Sequence, residues 1–300
     1  MSEAKAGGDA IPQEVLQRIR QIEIQTRRLV NDLFLGQYHA VFRGQGIEFS
    51  EVREYQFGDD QRAIDWNVTA RMGAPYIKKF QEERELNVVL AADVSASSTF
   101  GTAGRSKAQV AAEAGAVLAL SAIRNNDRVG MLSFTDRIET YIDPRKGGQH
   151  TLRIIRELLY PAAAGRRTNL GLAAETLGRV LKRRSLVFLL SDFAAEGFEA
   201  ALRFTARKHD VVAITITDPR EVELPRIGIL ELEDAETGEI VLLDSDNEGV
   251  RNRYHEIALT RAASRSRMLR GMGIDEIALR TDGDFVEPLM TFFRSRASRN

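Results

Sequence analysis

The stretch Val88-Val89-Leu90-Ala91-Ala92, running straight into Asp93-Val94-Ser95-Ala96-Ser97, decides how the rest of the chain is read. Apolar residues in unbroken succession, without polar alternation, describe a strand covered on both faces, as strands of a parallel sheet are. At the carboxyl end of such a strand the chain leaves the sheet into the crevice where open α/β sheets bind ligands. Alternate residues of an extended turn can point the same way, so Asp93, Ser95 and Ser97 can converge as the oxygen donors that Mg²⁺ and Ca²⁺ prefer. A plainer reading stays open: Asp and Ser are favoured at helix N-termini and could simply cap the helix that follows.

Two further segments bear on the choice. Arg166-Arg167-Thr168-Asn169-Leu170 opens an amphipathic pattern (Leu170, Leu172, Ala173, Leu177, Val180, Leu181), which places Thr168 at a helix N-cap with a free hydroxyl. Leu186-Val187-Phe188-Leu189-Leu190 is a second buried strand and ends at Ser191-Asp192, so Asp192 repeats the position of Asp93. These elements meet only if both strands lie near the middle of one parallel sheet. The candidate cation ligands are then Asp93, Ser95, Ser97, Thr168 and Asp192. Two carboxylates and three hydroxyls make a small site that retains water, which suits Mg²⁺ better than Ca²⁺ with its roughly six to eight oxygens; Mn²⁺ and Ca²⁺ are the alternatives.

Composition excludes several classes. Of 300 residues, 43% are hydrophobic and 28% charged, the balance of a soluble globular protein with a sizeable core. No stretch approaches the roughly 18 apolar residues of a membrane span, and the first residues lack the apolar core of a secretory signal, so a cytoplasmic location without a transmembrane segment is expected. The absence of cysteine rules out disulfides, thiolate metal sites and cysteine nucleophiles. A net charge of −1 gives no reason to expect nucleic acid as a partner. His39, His150, His209 and His255 lack metal-ligand spacing and read as structural or exposed.

Residues 1–35 read as a disordered tip and an amphipathic helix from Pro12 to about Phe34, whose stripe of Val15, Ile19, Ile22, Thr26, Leu29 and Leu33 docks either on the main domain or on a partner helix. Residues 36–86 form a compact, charge-rich accessory segment. From 87 to 300, apolar strands alternate with amphipathic helices, which predicts a doubly wound, mostly parallel α/β sheet. A hairpin near 228–243, turning at Thr237-Gly238, interrupts it.

Asp93-x-Ser95-x-Ser97, Thr168 and Asp192 in this order resemble the metal-ion-dependent adhesion site of von Willebrand factor A domains. The resemblance implies Ser95, Ser97 and Thr168 as direct ligands, Asp93 and Asp192 as charge-neutralising groups, and a coordination position left for an acidic side chain of a client protein. Gly44-Gln45-Gly46-Ile47-Glu48-Phe49, followed by Arg53-Glu54-Tyr55-Gln56-Phe57-Gly58-Asp59-Asp60-Gln61-Arg62-Ala63-Ile64-Asp65-Trp66 and Ala70-Arg71, resembles the signature of the bacterial domain-of-unknown-function family fifty-eight. That resemblance implies action beside a MoxR-type AAA+ ATPase in the assembly or maturation of other proteins. By composition alone, Arg53, Arg62 and Arg71 interleaved with Asp59, Asp60 and Asp65 around Trp66 suit bidentate ion pairs that pin the segment. With Tyr55 they equally suit a docking face, since Trp, Tyr and Arg are enriched at interface hot spots.

Three functions follow: a cation-dependent, non-enzymatic protein-binding module; a Mg²⁺-dependent phosphohydrolase; and a metal-free structural domain in which the serines only cap. Against hydrolysis, the residue two beyond Asp93 is Ser95, where a phosphatase would be expected to carry a carboxylate as general acid. No histidine, cysteine or lysine is expected to adjoin either strand end as an alternative base.

Overall fold

The computed structural model describes residues 17, 19–21, 24, 47–82 and 85–299. The expected disordered tip, most of the Pro12–Phe34 helix and the Gly44-Gln45-Gly46 part of the signature lie outside these residues; Gln17, Ile19–Gln21 and Ile24 are helical, with Ile19 buried and Ile24 exposed. The chain divides into two compact units, Phe42–Leu86 and the remainder.

In the smaller unit, β1 (Ile47–Glu54) and β2 (Tyr76–Glu82) form an antiparallel pair with an irregularity between Phe49 and Glu51. Between them lie a 3₁₀ turn (Gln61–Ala63) and the helix α1 (Trp66–Met72). Asp65 caps α1 by accepting from the backbone N–H groups of Asn67 (3.0 Å) and Val68 (3.4 Å), and Gly73, at φ 74°, ends it in the left-handed conformation that glycine adopts freely.

In the larger unit the elements follow as β3 (Asn87–Asp93), α2 (Lys107–Arg124), β4 (Arg128–Phe134), β5 (Ile138–Arg145), α3 (Gly148–Leu159), α4 (Leu170–Val180), β6 (Leu186–Ser191), α5 (Glu199–Lys208) and β7 (Asp210–Thr217). Then come the hairpin β8 (Ile229–Glu233) and β9 (Ile240–Asp244), α6 (Glu248–Gly271), β10 (Asp275–Arg280) and α7 (Val286–Ala297). The six-stranded sheet has the order β10-β7-β6-β3-β4-β5. All its pairs are parallel except β4 with β5, because a tight turn at Thr135–Arg137 joins those two with no room for a crossover helix.

The residues of β3 from Val88 to Asp93 and all of β6 are buried, as their unbroken apolar runs require. One sheet face, with Val89, Ala91, Val187, Leu189, Val211 and Ala213, packs on Leu170, Ala173 and Leu177 of α4, Leu202 of α5 and Leu269 of α6. The other face packs on α2, where Gly115 lets Leu158 of α3 and Leu90 of β3 approach closely; a Cβ there would stand 3.0 Å from Leu158 Cδ1. Burying each large aliphatic side chain of this kind is worth about 1.5–3 kcal/mol.

The chain leaves β3 toward β4 on one side, while β6 pairs on its other side. The carboxyl ends of β3 and β6 therefore flank the point where strand order reverses, the crevice that open α/β sheets use for ligands.

Candidate functional site

Parallel register sets the centre of the site. Ala92 pairs with Leu190, so the next residues, Asp93 and Ser191, come side by side, and the Ser191 hydroxyl donates to Asp93 Oδ2 at 2.7 Å. The Ser95 N–H donates to Asp93 Oδ1 at 3.0 Å. Asp93 is 4% exposed, and burial, reinforced by the nearby charge of Asp192 and only partly offset by the Ser95 and Ser191 hydrogen bonds, pushes its carboxyl up to about 6. Both of those hydrogen bonds come from neutral groups.

The hydroxyls converge as the sequence suggests. Ser95 Oγ lies 3.0 Å from Ser97 Oγ and 2.8 Å from Thr168 Oγ1. Ser95 heads a 3₁₀ turn (Ala96–Thr99) without using its hydroxyl as a cap, so that oxygen remains for the cluster. The loop bearing Thr168 is pinned from two sides: the Ala96 N–H donates to Arg166 O at 2.9 Å, and the Asn169 N–H to Thr135 O at 2.9 Å. The N-cap of α4 is Asn169, whose side chain accepts from the Leu172 N–H at 2.9 Å, and not Thr168 as the sequence pattern predicts. With Asn169 satisfying the helix end, the Thr168 hydroxyl is released to face Ser95.

Asp192 is placed differently. Its Oδ2 accepts from Lys107 Nζ at 2.7 Å, and the same ammonium donates to Glu221 Oε1 at 2.7 Å. No lysine is near Asp192 in sequence, but the first turn of α2 brings one to it, which corrects the expectation of strand ends without lysine. Lys107 is 3% exposed. Burial opposes its charge, yet the Asp192 and Glu221 carboxylates outweigh that and hold its pKa above the ordinary lysine value. The turn after β6 is strained: buried Phe193 sits at φ 56°, rare for a residue with a side chain, and its N–H reaches Ser191 Oγ at 3.2 Å.

Asp93, Ser95, Ser97 and Thr168 thus form a contiguous oxygen cluster, with Asp192 beside it and engaged by Lys107. Such donors fit a hard divalent cation in chemistry, and the buried Asp93 carboxylate, hydrogen-bonded by neutral groups, fits one in charge. Among the described residues no group of three or more His, Cys, Asp and Glu side chains could hold a metal, so a cation here depends on the hydroxyls.

Sequence reasoning missed three participants. Ser191 was visible only as a strand end. Lys107 carried a faint signal, since a cation in a helix's first turn opposes the backbone dipole and needs an anion elsewhere. Glu236, at the hairpin tip, carried none: its Oε1 lies 2.6 Å from Thr168 Oγ1, and its Oε2 accepts from the Thr168 N–H at 3.2 Å.

In the smaller unit the aspartates of the signature segment take distinct positions. Arg53 Nη2 pairs with Asp59 Oδ1 at 2.7 Å, but Asp60 caps the 3₁₀ turn through the Arg62 N–H at 2.9 Å and Asp65 caps α1. An adjacent backbone N–H is a near partner that costs little side-chain entropy. Arg62 and Arg71 are exposed, Tyr55 is half-buried with its N–H on Pro75 O at 2.8 Å, and Trp66 is 70% exposed.

Among the described residues no helix is long and apolar enough to cross a membrane. The uncharacterized protein Rv1480 of Mycobacterium tuberculosis is 34% identical over 292 residues, 96% of this chain and 92% of that protein. Among solved structures, the conserved hypothetical protein BatB from Bacteroides thetaiotaomicron aligns with 72% of this chain and 100% of its own at 17% identity and a TM-score of 0.43. The SpRpn10 VWA domain aligns with 69% of this chain and 94% of its own at 10% identity and a TM-score of 0.37. The pattern of the family described as "Protein of unknown function DUF58" matches residues 51–264, and with that match and the mycobacterial identity the chain belongs to this family.

Proposed function

We propose that this protein is a non-enzymatic interaction module in which Asp93, Ser95, Ser97 and Thr168, aided by Asp192, hold a divalent cation, Mg²⁺ foremost, that captures an acidic side chain of a client protein. The observation that carries the reading is the meeting of three hydroxyls from two separate loops, with Ser95 Oγ 3.0 Å from Ser97 and 2.8 Å from Thr168, beside a buried carboxylate. Helix capping does not account for it, because Asn169 and not Thr168 caps α4 and Ser95 caps nothing with its side chain. When bound, the cation would supply Lewis-acid attraction for a carboxylate.

Phosphoryl transfer fits less well. Asp93 is buried with an oxygen engaged on each side by Ser95 and Ser191, a poor nucleophile, and Lys107 keeps its proton and so is no general base. The family resemblance supports a cytoplasmic role beside a MoxR-type AAA+ ATPase in assembly or maturation of other proteins. The exposure of Trp66 and Phe57 supports the smaller unit, through Arg53, Tyr55, Asp59, Arg62, Trp66 and Arg71, as the face that docks that ATPase, with Asp65 buried behind it as the cap of α1.

Equilibrium dialysis against Mn²⁺ tests the site: wild type should bind a single class of ion and Asp93→Ala should not. Equal binding by both proteins would reject it. Capture of a purified MoxR-type ATPase and its client should weaken on chelation; capture indifferent to both chelator and Asp93→Ala would reject cation bridging.

A further inference from the structure

The hairpin β8–β9 ends on the oxygen cluster. Glu236 at its tip engages Thr168 twice, through the hydroxyl at 2.6 Å and the backbone N–H at 3.2 Å, while the same hydroxyl lies 2.8 Å from Ser95 Oγ. The tip is built to present this side chain. Asp234 Oδ1 accepts from the N–H groups of Glu236 (2.9 Å) and Thr237 (2.8 Å), the Gly238 N–H donates to Asp234 O at 2.7 Å, and Gly238 takes φ 75° to close the turn. Arg166 Nη2 adds a hydrogen bond to Ala235 O at 3.3 Å. The strands behind the tip are held only lightly by burial: Ile229, Ile240 and Leu242 are 76%, 55% and 66% exposed.

Resting on the cation reading above, we infer that Glu236 is the site's own carboxylate ligand, holding against Thr168 the place that an acidic side chain of a client would take. A client then binds by displacing the hairpin tip. A carboxylate that already touches one of the candidate ligands stands within reach of a cation at those hydroxyls. A preorganised turn on weakly buried strands can deliver that carboxylate and also withdraw it.

Mn²⁺ serves as the probe, with binding read by dialysis and the metal's open positions read by water-proton relaxation. Wild type should bind Mn²⁺ with low relaxivity per bound ion. Glu236→Ala, confirmed folded by circular dichroism, should bind it several-fold more weakly, with clearly higher relaxivity, because water replaces the carboxylate. In the presence of Mn²⁺, a labelled peptide carrying one glutamate should bind Glu236→Ala about ten-fold more tightly than wild type, as expected when an internal competitor is removed, and chelation should abolish that binding. If Asp93→Ala loses Mn²⁺ but Glu236→Ala matches wild type in affinity and relaxivity, the role of Glu236 is overturned and the cation site stands. If wild type binds no Mn²⁺, the cation site falls and this inference with it.

Discussion

Lys107 Nζ lies 2.7 Å from Asp192 Oδ2 and the same distance from Glu221 Oε1, so the first turn of α2 neutralises the carboxylate that follows β6. Removing one member of a buried ion pair leaves the others charged and unpaired. Lys107→Met should therefore destabilise the protein by about 3 kcal/mol, the low end for such a loss, because the Asp192 and Glu221 side chains keep 13% and 33% exposure. Urea denaturation measures this. Under the cation reading, Mg²⁺ should recover part of the loss, since Asp192 is then released toward the site.

Ser191→Ala removes the hydroxyl that donates to Asp93 at 2.7 Å and accepts from the Phe193 N–H at 3.2 Å. A buried carboxylate loses a donor and a strained turn loses its anchor. The expected cost is about 1–3 kcal/mol, with Ser191→Thr recovering most of it; a loss below about 0.5 kcal/mol in denaturant unfolding would count against this account.

At Gly165 the chain leading to Thr168 passes close to Thr135 and Asp136, just beyond β4. A Cβ at this position would stand 2.1 Å from both Asp136 Oδ1 and Thr135 Oγ1, and the Gly165 N–H donates to Glu139 Oε1 at 2.8 Å. Gly165→Ala must shift the loop, so Mn²⁺ affinity should fall several-fold while unfolding stays cooperative. Unchanged affinity would mean that Thr168 is held independently of this contact.

His209 is buried, and neither ring nitrogen has a hydrogen-bond partner among the described residues. Burial, with the like charges of Lys208 and Arg184, holds its pKa below the ordinary 6.5. The unfolded chain therefore takes up this proton at higher pH than the folded one. The resulting stability is fully present above about pH 6.5 and is lost as pH falls through the folded-state value. The urea midpoint should drop between about pH 7.5 and about pH 5 in wild type, and drop less in His209→Leu.

In the smaller unit, Trp66→Ala should change stability by less than about 0.5 kcal/mol, because the ring is 70% exposed. It should weaken capture of a MoxR-type ATPase measured with the full chain. A large loss of stability instead would mark Trp66 as a packing residue.

Periodicity identified the buried strands at Val88–Ala92 and Leu186–Leu190 and the alternating helices, turn residues marked the hairpin near Thr237-Gly238, and the placing of Asp93, Ser95, Ser97 and Thr168 at strand and helix ends suggested their approach. Each of these follows from local pattern or from the rule that strand ends meet at the reversal of strand order. Local pattern did not show that Asp60 and Asp65 accept from neighbouring backbone N–H groups as caps. Tertiary structure alone joined Ser191 to Asp93 across 98 residues, Lys107 to Asp192 across 85 and Glu236 to Thr168 across 68. Strands and helices announce themselves because burial imposes a repeat on their side chains. A hydrogen bond between distant loops imposes none, and its partners are chosen by the path of the backbone between the elements.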